Sequence, residues 1–214
     1  MNLSQKTHNL SRRALNGEWG RSLVDMKELN LDNIEGIEQF SDIQKYVEAI
    51  KSIAKKAPIR ILPDEKIVGA TTLKLAPHHQ IPVYYQGDPV FRSVSHTTLG
   101  FDRVLKLGYT GLEKEIDNRL NEGGLDKKGK DLLFAMKDCI EAARIWQQRY
   151  VDKLKILIGN SQGKQKQHYQ KILKSLENVP DNPPETFREA VQSLWLMFAF
   201  QRHCGNWPGI GRID

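Results

Sequence analysis

The feature that most constrains this chain is its final stretch, residues 182–214, which reads NPPETFREAVQSLWLMFAFQRHCGNWPGIGRID. It carries a helix start signal, an apolar body and an abrupt change of texture. Asn182 offers a capping side chain, Pro183 suits a first helical position, and Glu185 stands three residues after the cap, where its carboxylate can reach back. Phe187, Ala190, Val191, Leu194, Trp195 and Phe198 then recur at intervals of three and four, which predicts one apolar face. From Leu194 to Phe200 the run LWLMFAF is apolar all round. A membrane span needs roughly 20 such residues, so this run predicts a helix buried by protein. After Cys204 the sequence turns rich in Gly and Pro and closes on Arg212 and Asp214. A helix of this kind, left facing water, would expose a contiguous apolar surface, so the pattern calls for a partner surface.

The rest of the chain supplies more helices and little sheet. Ser41 or Asp42 can cap a segment in which Ile43, Tyr46, Val47, Ile50 and Ile53 form a stripe. Phe101, Val104, Leu105, Leu112 and Ile116 hold helical spacing in the next. The most regular stretch carries Leu132, Leu133, Met136, Ile140, Ala143, Trp146, Tyr150, Val151, Leu154 and Ile158 on one side. Tyr169, Ile172, Leu173 and Leu176 mark another helix, ending before Pro180. The spacing predicts helices near 42–57, 101–121, 130–158, 165–178 and 184–203, a mainly α fold with few short strands. NEGGLDKKGK reads as a hinge, and the run LAPHHQIPVYYQGDPVF as an extended surface loop. Residues 1–57 read as a polar, loosely helical segment apart from 58–214.

Composition narrows the class. The chain is 39% hydrophobic and 27% charged, enough apolar material for a core in a soluble globular protein. The first 30 residues lack the apolar stretch of a signal peptide. Two cysteines, Cys139 and Cys204, make no disulfide framework, so a reducing cytoplasm is the expected compartment, with no membrane partner. The net charge of +6 raises a nucleic-acid reading. Much of it sits in 151–180, where Lys153, Lys155, Lys164, Lys166, Lys171 and Lys174 face only Asp152 and Glu177. No aromatic ladder, zinc spacing or recognition helix accompanies them, and a solvated helical face explains them without nucleic acid.

Three kinds of side chain invite a chemical reading. His78 and His79 are adjacent, so their rings point to opposite sides of an extended chain and cannot share one metal; no metal site is expected. Cys139 falls on the apolar side of its helix with no base beside it, which predicts a core thiol rather than a nucleophile. Arg212 and Asp214 stand two apart, on one side of an extended strand, where opposite charges need partners.

Several phrases carry a family resemblance. Thr186, Phe187, Glu189, Ala190, Gln192 and Trp195, followed by Gly211, Arg212 and Asp214, resemble the T-F-x-E-A-x-Q-x-x-W helix and G-R-x-D exit of the pyruvate formate-lyase-like glycyl radical enzymes. DEKIVGATT resembles that family's D/E-x-x-V-G segment, and EAARIWQQRY its E-A-x-x-x-x-x-x-R-Y helix. His96, before Thr97 and Thr98, stands where family members carry an H-T or G-H element. Together these phrases run from about residue 64 to 214.

The resemblance implies a fold, a chemistry and partners. It implies the helical N-terminal portion of a β/α barrel enzyme, a lyase, dehydratase or acyltransferase of anaerobic metabolism. Such enzymes store a radical on a glycine in an R-V-x-G-Y loop and pass it to a cysteine at the barrel centre. The radical is installed by an S-adenosylmethionine iron–sulfur activating enzyme. Here no R-V-x-G-Y occurs, and Cys204 lies before the G-R-x-D element rather than after it. The chain is therefore expected to stop before the barrel core and to be catalytically incomplete alone, with no catalytic residue of its own. Its partners would be the missing C-terminal part, the activating enzyme and a second copy of itself. His96 is implied as a substrate-pocket residue, because a histidine near this element approaches the substrate in some radical dehydratases. Arg212 and Asp214 are implied at the barrel rim, where the arginine fork suits a carboxylate or an anionic substrate group. The alternative is a non-catalytic helical protein that binds a partner, such as the remainder of a split enzyme.

Overall fold

The structure, a computed structural model, describes residues 4–16, 28–69, 81–91, 97–205 and 208–209. Its α-helices, in chain order, are α1 (Gln5–Leu15), α2 (Asp42–Lys56), α3 (Phe101–Asn121), α4 (Lys127–Gly159), α5 (Gly163–Asn178) and α6 (Phe187–His203). The strands are short: β1 (Leu29–Asn30), β2 (Val83–Tyr85), β3 (Asp88–Pro89), β4 (Thr97–Thr98) and β5 (Pro208–Gly209). The mainly α expectation holds, and five predicted helices appear within one to three residues of their expected ends. None of the described helices is long and apolar enough to cross a membrane.

Local chemistry explains most boundaries. Ser41 opens α2 with a capping box: its hydroxyl accepts from the Gln44 N–H, and the Gln44 side chain accepts from the Ser41 N–H. Arg149 closes the same helix by donating to the Ala54 carbonyl at 2.8 Å. The predicted hinge turns at Gly123 and Gly124, both at positive φ, and Asp126 then caps α4 by accepting from the Gly129 N–H at 2.7 Å.

α4 is the axis of the bundle, with α2, α3 and α5 packed against it. Its buried side presents Ala142, Trp146, Tyr150 and Leu154, and Trp146 meets Tyr150 edge-on and stacks on Phe200 of α6. Rings of this size withdraw ~150–250 Å² from water each, worth roughly 4–6 kcal/mol before the entropy of ordering them is subtracted. The stripe thins at the start of α4, where Leu132 and Met136 remain about half exposed.

The stretch predicted as a surface loop is partly sheet. β2 pairs parallel with β1 and antiparallel with β3. Ile81 and Val83 are buried, so this stretch packs inward as well as lying across the surface.

α3 is two helical pieces joined at Gly108, whose φ of 64° and ψ of 176° are non-helical. The second piece begins by donating from the Tyr109 N–H to the Pro180 carbonyl and from the Thr110 N–H to the Asp181 carbonyl. Helix-start donors are thus satisfied by a distant segment instead of a local cap. Arg144 of α4 locks the junction from the side. It holds Glu113 bidentately at 2.6 and 2.8 Å and Asp181 at 2.6 Å. The Glu113 hydrogen bonds, outweighing the opposing effect of burial, raise the Arg144 pKa above its ordinary value. Burial, with the Asp181 charge adjacent, pushes the Tyr109 phenol up.

Candidate functional site

The site is built on α6, whose start differs from the expected one. The helix does not start at Asn182–Glu185. Thr186 is its cap, accepting from the Glu189 N–H at 3.2 Å, while the Glu189 carboxylate accepts from the N–H groups of Thr186 and Glu185. This is the reciprocal pairing a capping box makes, and its Thr-x-x-Glu spacing competes in the sequence with the Asn-Pro-Pro signal. Asn178 adds a bond to the same carboxylate, tying α5 to the start of α6.

The face of α6 that turns inward also differs from the expected stripe. The most buried positions of α6 are Glu189, Gln192, Ser193, Leu196, Ala199, Phe200 and His203. Val191, Leu194, Trp195 and Phe198, expected as the packing stripe, are half-buried, and Phe187 is 86% exposed. Glu189 and Gln192 are tolerated inside because main-chain partners meet them.

Those partners form a tether. Arg188 donates to the Lys66 carbonyl at 2.5 Å. One turn on, the Gln192 amide accepts from the Val68 N–H at 3.0 Å and donates to the Val68 carbonyl at 2.8 Å. Another turn on, Trp195 donates from its indole nitrogen to the Gly69 carbonyl at 2.7 Å. Residues 188, 192 and 195 share one helix face, so α6 acts as a rail for the extended segment 66–69. Gly69, at a φ of 128°, holds a backbone conformation that other residues rarely adopt, and a β-carbon there would sit tightly, 3.0 Å from the Trp195 ring. Gln192 and Trp195 belong to the phrase that carries the family resemblance, but their spacing does not disclose this partner. The Arg188 role has one signal in the sequence, a cation four residues before Gln192 on a largely apolar helix.

Beyond Cys204 the chain returns to sheet. β5 pairs parallel with β4, matching Thr97 with Pro208 and Thr98 with Gly209. This ladder brings the segment directly after His96 beside the segment that leads towards Arg212 and Asp214. His96, Arg212 and Asp214 lie outside the described residues, as do His78 and His79.

Cys204 lies in the core and Cys139 is partly buried against it. Burial pushes Cys139 up to about 11, with Asp138 adding to the effect, and burial raises Cys204 further. Both are therefore neutral thiols at physiological pH. Iodoacetamide at pH 8 is expected to label neither quickly in the folded chain and both in urea, with the Cys139 rate still rising towards pH 11. Rapid native labelling of Cys204, read by mass spectrometry, would contradict this placement. Among the described residues no group of three His, Cys, Asp or Glu side chains is placed to hold a metal ion.

The fold occurs in known proteins. All of this chain superimposes on 36% of the glycerol-bound B12-independent glycerol dehydratase from Clostridium butyricum, with a TM-score of 0.74 and 17% identity. A glycyl radical enzyme from Archaeoglobus fulgidus matches over 89% of this chain and 34% of its own, with a TM-score of 0.67 and 20% identity. A trans-4-hydroxy-L-proline dehydratase from Clostridioides difficile is 30% identical over 112 residues, 50% of this chain and 14% of the relative. The fold is thus that of the N-terminal helical part of the glycyl radical enzymes, and the chain spans about a third of the solved structures it matches. Residues 79–214 match the Pyruvate formate lyase-like family, and the chain belongs to that family.

Proposed function

We propose that this chain is the N-terminal helical portion of a cytoplasmic glycyl radical enzyme of the dehydratase type, and that its activity requires the polypeptide bearing the radical glycine and the thiyl cysteine. The observation that carries the reading is the superposition of the whole chain on about a third of a glycerol dehydratase. The name of the hydroxyproline relative points to the same reaction class, elimination of water from a small hydroxylated substrate. The cysteines support the incompleteness. Hydrogen abstraction needs a thiyl beside the substrate, whereas Cys204 is buried in the helical core and Cys139 is partly buried against it, beside the apolar cleft.

In this reading α6 is the structural spine that delivers two segments to the barrel rim. Its side-chain rail holds 66–69, and the β4–β5 ladder pairs Thr97 and Thr98, which follow His96 in the chain, with Pro208 and Gly209, which precede Arg212 and Asp214. His96 then approaches the substrate, and Arg212 binds a carboxylate or an anionic substrate group, with Asp214 beside it. The partners are the completing C-terminal polypeptide, an S-adenosylmethionine iron–sulfur activating enzyme and a second copy in a homodimer. The test is the coding sequence after Asp214. It should continue into a cysteine-bearing loop and an R-V-x-G-Y tail; an open reading frame that lacks both, with none nearby that supplies them, overturns the reading.

Two outcomes follow for the protein itself. Incubated anaerobically with an activating enzyme and S-adenosylmethionine, the 214-residue chain should give no glycyl radical doublet by electron paramagnetic resonance. A doublet would place the radical site within it. In the completed enzyme, Arg212→Lys should raise KM or lower kcat by about tenfold, because lysine cannot reproduce a bidentate fork. Unchanged folding, KM and kcat would remove both the pocket role and a structural one.

A further inference from the structure

We draw no further inference here: the strongest candidate, the apolar cleft of about 590 Å³ that α2, α3 and the first turns of α4 leave open beside Leu132 and Met136, has nothing in the structure to show what covers it.

Discussion

Gly108→Ala is expected to lower the melting temperature by about 6–12 °C, a loss of roughly 3 kcal/mol. Two costs combine. The backbone at φ 64° and ψ 176° lies in a region open essentially to glycine alone. A β-carbon there would also sit 2.3 Å from the Asp181 carbonyl oxygen and 2.8 Å from two Asn182 backbone atoms. No flexible side chain can move aside, because the obstacle is main chain. Shifting it would break the Tyr109 and Thr110 bonds to residues 180 and 181 and pull Asp181 from Arg144. The strain therefore spreads to α4 and the start of α6 instead of relaxing locally. Gly159→Ala is the control, since an added methyl meets nothing within 4 Å there, and it should stay within about 1 kcal/mol of the parent. Thermal melts followed by circular dichroism decide the matter. A Gly108→Ala melt within 2 °C of the parent would show that the junction does not depend on glycine.

The same junction marks how far the sequence could be read. Helical periodicity located α2 to α6 because apolar residues recur at helical spacing along each of them. It passed over the break in α3, since Val104, Leu112 and Ile116 keep their spacing across it. What sets the break is the 180–182 segment, some 70 residues away, whose carbonyls replace a local cap. α6 fails as a pattern for a related reason. Its apolar residues were legible, but the face they define is not the one most deeply packed on this chain. The inward placement of Gln192 depends on Val68, a partner 124 residues away in the chain. Cys139 was legible as an apolar-side thiol from its position, and the structure places it partly buried against the core. His96 is a candidate only through the resemblance, Arg212 and Asp214 also as opposite charges two residues apart, and none of the three falls among the described residues.

Gln192→Leu is expected to cost about 2–5 kcal/mol, because one side chain satisfies both polar groups of Val68. Gln192 is 1% exposed and Val68 is fully buried, so water cannot replace the lost bonds without opening the contact between α6 and segment 66–69. Leucine fills similar space, which separates the hydrogen-bonding role from packing. Gln192→Glu separates them further through pH. A neutral glutamic acid can accept from the Val68 N–H and donate to the Val68 carbonyl, whereas a carboxylate can only accept and would face that carbonyl while buried. Burial and the facing carbonyl raise the folded-state pKa of the new acid above its unfolded value of about 4.3. Its contribution is then fully present below that unfolded value and is lost as pH rises through the folded one. Relative to the parent at each pH, the Glu variant should approach normal stability near pH 4 and lose it towards pH 7, while the Leu variant stays destabilised at both. Hydrogen exchange should show the Val68 amide losing protection in step with these losses. Equal deficits for both variants at pH 4 and pH 7, with Val68 still protected, would mean that α6 holds the segment by packing and not by the amide.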